Sequence, residues 1–549
     1  MAFETRLTQA MVDRYTKGGY WGSDTICGIL ERTAAAHPDR EVLFDGQHRW
    51  SYGDLLGSVN RVAAALAGLG IGVGDVVTIQ IPNWVEYAAV FFALERIGAV
   101  ANPVSVDFRS RELEYILRFS ASKAFVGCQS FRDFDHQAMI EKLRPKLPGL
   151  RLVALVRGGG SGGTVSLDQA IHGPAIHGPA IHGDGPAPEF TPYALDANAI
   201  FRMAFTSGTT GDPKGVIHSQ NTTVSTSIIQ NRDMGFSGEE VFLIYLPLGL
   251  NWGFLALVQI IALGARAVLM DRFNALAALE LIGRERVTFI PTAPASIIAM
   301  LNEPGLPRFD LSSLGMVMSG GASCPIEVIR EYRAKMKGSF VELYGMLETG
   351  FHTYTRSSDD PEQVAGSVGT AATALGVRIL DDQGRDVPEG EVGEIAAEGP
   401  TVHLGYHNNP QANAGLFTED GWFRTGDLGR FDGRGNLHIA GRLKEIINRG
   451  GMKFFPREIE EILYTHPKIL HAAIVGVPDP RLGERNCLCV IPHPGETVSL
   501  EEMVDFLRGE VANYKLPEQL EIVEELPFTP TGKLQRHVLA QRILEGRGR

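Results

Sequence analysis

Residues 205 to 215 read Phe-Thr-Ser-Gly-Thr-Thr-Gly-Asp-Pro-Lys-Gly, a stretch with the makings of a phosphate cradle. Gly208, Gly211 and Gly215 let the backbone approach a ligand closely. Ser207, Thr209 and Thr210 add hydroxyl donors, successive backbone N–H groups form an anion-binding nest, and Lys214 supplies a point charge. The spacing is not that of a Walker A loop, because Pro213 stands five places after Gly208 and Gly215 follows Lys214. No G-x-G-x-x-G dinucleotide fingerprint is present here either.

Other clusters follow along the chain: Gly320-Gly321-Ala322, Tyr344-Gly345-Met346-Leu347-Glu348, Arg424-Thr425-Gly426-Asp427, Gly441-Arg442-Leu443-Lys444-Glu445 and Pro530-Thr531-Gly532-Lys533. Singly, each has an ordinary reading. Glu348 is a solvent-facing acid at a strand end, Asp427 a turn former, Arg442 and Lys444 a basic surface pair, and Lys533 part of a solvated turn. Together they hold what ATP activation of a carboxylate needs. That chemistry joins two anions, so it wants a phosphate cradle, an acid for Mg²⁺ and a cation near the transferred group. It also wants an aromatic slab and a carboxylate for the adenosine.

The 205–215 loop closely resembles the signature loop of the adenylate-forming superfamily, which holds acyl-CoA synthetases, peptide-synthetase adenylation domains and luciferases. The other clusters resemble that family's motifs in their order, so the likeness spans about residues 25 to 540. The resemblance implies that Thr206, Ser207, Gly208, Thr209, Thr210, Gly211 and Lys214 cradle the ATP phosphates. It implies that Gly320, Gly321 and Ala322 border the adenine, that Tyr344 stacks on it next to Gly345, and that Asp427 and Arg442 reach the ribose. Glu348, with Thr209, is the implied Mg²⁺ site. Lys533, Arg442 and Glu348 are the implied catalytic residues, with Lys533 bridging carboxylate and α-phosphate. Lys444 is the implied hinge, and Gly450 and Gly451 the implied lining of a pantetheine tunnel. Leu347 stands where the family usually has Thr, so a hydroxyl for the α-phosphate is missing and nucleotide binding is expected to be weaker or differently arranged.

The implied reaction has two halves. A carboxylate and MgATP give acyl-adenylate and pyrophosphate. The small domain then turns about Lys444, withdrawing Lys533, and the coenzyme A thiol displaces AMP. ATP, Mg²⁺ and coenzyme A are the implied cofactors, and a small carboxylic acid the partner, with homodimerisation left open. A stand-alone ligase loading a carrier protein is the alternative, and a non-catalytic nucleotide-binding relative a weaker one. The acid pocket is expected at Leu246-Pro247-Leu248-Gly249-Leu250-Asn251-Trp252-Gly253. Gly249 is expected to open space and Leu250 to line it with carbon, while Asn251 falls where aryl-acid-activating relatives can also have Asn. With Trp252 these residues favour an alicyclic, aromatic or medium-chain acid, and no Asp is present for an amino-acid ammonium. Within the family the chain looks most like bacterial cyclohexanecarboxylate-type ligases.

The elements that must position these groups are α/β. Apolar runs such as Val76–Ile81 alternate with helical spacing such as Leu55, Val59, Val62 and Leu66, which predicts parallel sheets. The expected architecture is a large N-terminal domain, 1–443, of two parallel-sheet α/β subdomains plus a small β-barrel-like subdomain, followed by a smaller mobile α+β domain, 444–549. At 549 residues more than one core is required. A net charge of −13 gives no basic patch for nucleic acid. The five cysteines are scattered without C-x-x-C, and no signal peptide or spanning segment is read, so a reducing cytoplasm is expected. Cys487 and Cys489 are read as core packing, and the repeat at His172, His177 and His182, broken by Gly and Pro, as a loop rather than a metal site. If Lys533 neutralises the developing charge, Lys533→Ala will lose at least a hundredfold in adenylate formation, read by pyrophosphate exchange; full-rate exchange would remove that role.

Overall fold

Local signals in the sequence set the first elements. Ser51 caps the helix Tyr52–Gly68, and the Asp54 carboxylate accepts the Ser51 N–H at 2.9 Å in return, a reciprocal capping box. The greasy run after residue 250 becomes the helix Asn251–Leu263, stopped at Gly264 with φ +70, followed by the strand Arg266–Leu269. The computed structural model describes residues 3–160, 162–173, 192–206, 213–322, 324–360, 362, 366–528 and 534–547. Of the expected site residues, Ser207, Gly208, Thr209, Thr210, Gly211 and Lys533 lie outside the described residues, as do His177 and His182.

Two large sheets carry the N-terminal part. One has seven strands, in the order Gly215–Ser219, Ile200–Phe205, Val100–Pro103, Val76–Gln80, Ala124–Cys128, Leu152–Val156 and Val165–Ser166. All its pairs are parallel except the first. The other has nine strands, with a parallel centre running through Phe289–Thr292, Met316–Gly320 and Ser339–Met346 and antiparallel strands at both edges. Between them lies one continuous core. It joins Val77 and Ile79 of one sheet to Phe242 and Val341 of the other through the helices Val85–Arg96 and Asn251–Leu263. Phe91 and Phe254 meet across those helices at 4.5 Å between ring centroids.

The stretch expected as barrel-like is a four-stranded antiparallel meander, Gly376–Leu380, Gly393–Glu398, Phe423–Phe431 and Leu437–Arg442, paired in sequence order. The last hundred residues form a five-stranded sheet built on the long pair Ile469–Asp479 and Gly483–Pro492, with helices Pro456–Leu463, Leu500–Leu507 and Arg536–Arg547. Cys487 and Cys489 sit together in its core, and all five cysteines are buried and unbridged. No described helix is long and apolar enough to cross a membrane.

A buried charge cluster ties the seven-stranded sheet to the segment ahead of residue 174. Glu86 is fully buried; Arg157 donates Nε to its Oε1 at 2.8 Å and Nη2 to its Oε2 at 3.0 Å, while also reaching Asp45. His172 Nε2 sits 2.8 Å from the same Oε1 and stacks on His48. His48, Glu86 and His172 could converge on a metal, but the Arg157 guanidinium already sets a positive charge on both Glu86 oxygens. The cluster is an ion-pair network. Burial alone would raise the Glu86 pKa, yet hydrogen bonds from His172 and Arg157 outweigh it and hold the carboxyl at about 2. A depressed carboxylate adds stability above its ordinary pKa of 4.5 and loses it as pH falls towards 2. Arg157→Met is therefore expected to cost about 3 kcal/mol at neutral pH, and much of that gap should close below pH 4. Urea unfolding at several pH values checks this, and an unchanged midpoint would contradict it.

Candidate active site

Strands from both large sheets end at one cavity of about 500 Å³. Its walls come from the C-terminal ends of strands: Thr206 after Ile200–Phe205, Leu246 beyond Val241–Ile244, Gly321 after Met316–Gly320, and Gly345 to Glu348 at the end of Ser339–Met346. Ligands of open α/β sheets bind at such carboxyl ends. The meander adds Thr425, Gly426, Asp427 and Arg442, and the 3-10 turn Leu443–Glu445 adds Lys444 and Glu445.

Part of the cavity lining is charged. Glu348 is 5% exposed, and its Oε1 accepts the Tyr406 hydroxyl at 2.9 Å. Lys214 lies over the Tyr406 ring with Nζ 4.6 Å from its centroid. The Lys214 pKa is lowered, first by burial and then by the nearby Lys444 charge, against the pull of Glu348. Asp427 is gripped from two sides: Tyr344 donates its hydroxyl to Oδ2 at 2.8 Å and Arg442 donates Nε to Oδ1 at 3.1 Å. Burial and the Asp427 charge push the Tyr344 phenol well above its ordinary pKa, so it remains a donor. Glu394 braces the turn, taking the Gly426 N–H at 3.1 Å on one oxygen and the Arg424 guanidinium on the other.

Apolar residues line the rest of it: Ala204, Leu246, Pro247, Leu250, Trp252 and Phe351. Gly249 borders the cavity, but its role differs from the expectation. A Cβ there would lie 2.1 Å from the Val104 carbonyl oxygen, so glycine is required for close approach of two backbones rather than for room in the pocket. Leu347 lines the cavity, and its carbonyl oxygen accepts from the buried His218 Nε2 at 2.8 Å. The backbone ahead of Glu348 is thereby anchored to His218.

Most of the expected residues therefore converge. Thr206, Lys214, Gly249, Leu250, Asn251, Trp252, Gly321, Gly345, Glu348, Asp427, Arg442 and Lys444 all border one cavity. Gly320, Ala322 and Tyr344 do not line it, though each adjoins a lining residue in the chain and Tyr344 bonds the lining Asp427. Gly450 and Gly451 form the tight turn between the strands Ile447–Arg449 and Met452–Phe454, with φ +61 and +87, away from the cavity. Arg536 ties the C-terminal sheet to the turn Leu443–Glu445: it bonds Glu445 at 3.0 Å and Glu460 at 2.8 Å. Tyr406 and Glu394 were not legible beforehand, because an isolated Tyr and Glu in a turn-rich stretch carry no pattern.

The family model for AMP-binding enzymes matches residues 30–407, and that for the AMP-binding enzyme C-terminal domain matches 458–533. The chain is 33% identical over 536 residues to the medium-chain fatty-acid–CoA ligase of Escherichia coli, covering 96% of this chain and 92% of that one. It is 34% identical to the 2-hydroxy-7-methoxy-5-methyl-1-naphthoate–CoA ligase of Streptomyces carzinostaticus, covering 96% and 94%. It superposes on a crystal structure of an anthranilate CoA ligase in complex with anthranoyl-AMP with a TM-score of 0.86 and 25% identity, covering 96% and 98%. If Tyr406 fixes Glu348 as described, Tyr406→Phe will weaken MgATP binding about fivefold, the value of one hydrogen bond, with little change in fold stability. Calorimetric titration reads this, and an unaltered affinity would contradict it.

Proposed function

The chain belongs to the AMP-binding enzyme family, and we propose that its acid substrate is a compact alicyclic, aromatic or medium-chain carboxylate. The enzyme is an AMP-forming acid–thiol ligase: it makes acyl-AMP and pyrophosphate from acid and ATP, then passes the acyl group to coenzyme A. The observation that supports the acid class is the mixed lining of one cavity. Lys214, Lys444, Glu348 and Asp427 supply charged groups, and Ala204, Leu246, Leu250, Trp252 and Phe351 supply carbon surface. An anionic nucleotide and an uncharged acyl group suit the two kinds of lining in turn.

Each residue then has a physical task. Asp427, its two oxygens already oriented by Tyr344 and Arg442, retains lone pairs for ribose hydroxyls. Lys214 faces the phosphates as a desolvated cation, where its charge is worth more than in water. Glu348 is a hard oxygen ligand in the charged lining, which fits Mg²⁺ bound by one carboxylate together with substrate phosphates. The ion would supply charge neutralisation between the phosphate oxygens. Lys533 carries the cation for the transferred group, as the sequence pattern implies.

Alternation of the small domain accounts for two reactions in one cavity. Lys444 sits in a short turn between the meander and the C-terminal sheet, and the Glu445–Arg536 pair beside it holds that sheet in one orientation. Rotation about this turn exchanges the Lys533 loop for the Gly450-Gly451 turn. Pyrophosphate exchange with benzoic, cyclohexanecarboxylic, medium-chain fatty and α-amino acids, each with and without coenzyme A, tests the assignment. Exchange with one of the first three, and thioester only when coenzyme A is added, is expected. Exchange confined to amino acids would reject the acid class, and adenylate that never reached coenzyme A would favour a carrier protein as acceptor.

A further inference from the structure

Arg202 is a buried cation that the mechanism does not use. It is 1% exposed, in the strand Ile200–Phe205, two residues before Ala204. Residues two apart on a strand share a face, so Arg202 lies directly below the Ala204 wall of the acid pocket. Its Nη2 donates to Asn251 Oδ1 at 2.9 Å, and its guanidinium lies 4.5 Å over the Phe254 ring. Its Nε and Nη1 find no partner among the described residues, and no carboxylate there pairs with it. Burial lowers its pKa to about 9, which leaves it charged at neutral pH. Such a group is costly to bury, and a neutral side chain would pack the same space more cheaply. Something at this position requires a donor that cannot also accept.

Asn251 is what it acts on. An amide can be turned either way, but arginine has donors only. The Asn251 oxygen must therefore face Arg202, and the Nδ2–H₂ must face away from it. On that side, among the described residues, it meets only the Met346 carbonyl at a long 3.4 Å, at the wall of the cavity.

We propose that Arg202 is a positioning residue for acid selection: it locks Asn251 with its amide N–H turned to the cavity, so that this wall offers a donor and favours acids bearing an oxygen acceptor away from the reacting carboxylate. This deepens the ligase reading and rests on it. A plain hydrocarbon acid would leave the donor without a partner, and sites built around a hydrogen bond reject analogues that cannot make it.

Pyrophosphate exchange by the full chain tests this, using benzoate and cyclohexanecarboxylate against their ring-hydroxy and ring-methoxy forms. Wild type should prefer one oxygenated member of a set by about tenfold in kcat/KM, a methoxy form sufficing because only an acceptor is needed. Arg202→Met should reduce that preference to within about twofold, through KM rather than kcat. Arg202→Lys, which keeps a donor for Oδ1, should restore part of it. Asn251→Asp gives Arg202 a carboxylate and removes the amide donor, so it should keep the fold and also lose the preference. An undiminished preference in folded Arg202→Met overturns the inference; if that variant does not fold, an undiminished preference in Asn251→Asp does so. Loss in Arg202→Met but not in Asn251→Asp overturns it too, since Arg202 would not then act through the amide. Wild-type exchange with no oxygen preference rejects the inference alone, whereas no exchange with any acid rejects the ligase reading beneath it.

Discussion

Everything in the N-terminal domain depends on the dry seam between the two parallel sheets. Helices Val85–Arg96 and Asn251–Leu263 fill it, and residues 85 to 95 are buried throughout. Burial on this scale, at roughly 25 cal/mol per Å² of apolar surface, fixes how the sheets face each other. Because both sheets present strand C-termini at the same end of the seam, their loops meet there and a cavity results. Gly249 shows how tight the joint is, since even a methyl group would collide with the Val104 carbonyl.

The cavity inherits two chemistries from that joint. The loop after Val241–Ile244 carries Leu246 and Leu250, and the helix Asn251–Leu263 that fills the seam carries Trp252, so the apolar lining is built from the same material as the seam. Charged lining comes from outside it, where the meander brings Asp427 and Arg442 against Tyr344. Polar groups there are oriented before a ligand arrives: Asp427 by two donors, Glu348 by Tyr406, and the Leu347 backbone by His218. Preorganisation of this sort is what makes electrostatic stabilisation of a developing charge effective.

The sequence made the fold class legible because buried parallel strands and capped helices write strong local patterns, such as Val76–Gln80 and the Ser51–Asp54 pair. The candidate site was legible to the extent that its residues sit in contiguous motifs; Lys214, Glu348, Asp427, Arg442 and Lys444 meet at one cavity despite more than two hundred residues between first and last. Residues that act through space left no such trace. Tyr406 reaches Glu348 across 58 positions, and Arg202 reaches Asn251 across 49. Nor can a pattern tell glycine kept for room from glycine kept for backbone contact, which is why Gly249 was misread. Glu86, inside a helix buried on every face, shows the same limit: the pattern predicts apolar burial, and only the tertiary partners make a charge tolerable there.

The central claim is that one cavity receives nucleotide and acyl group on differently built parts of its lining. A crystal structure with a non-hydrolysable acyl-sulfamoyl adenosine tests it most directly. The account predicts ribose hydroxyls within hydrogen-bonding distance of Asp427 and the acyl group against Leu250, Asn251 and Trp252. An analogue bound with its acyl group anywhere else, or with its ribose out of reach of Asp427, would contradict it.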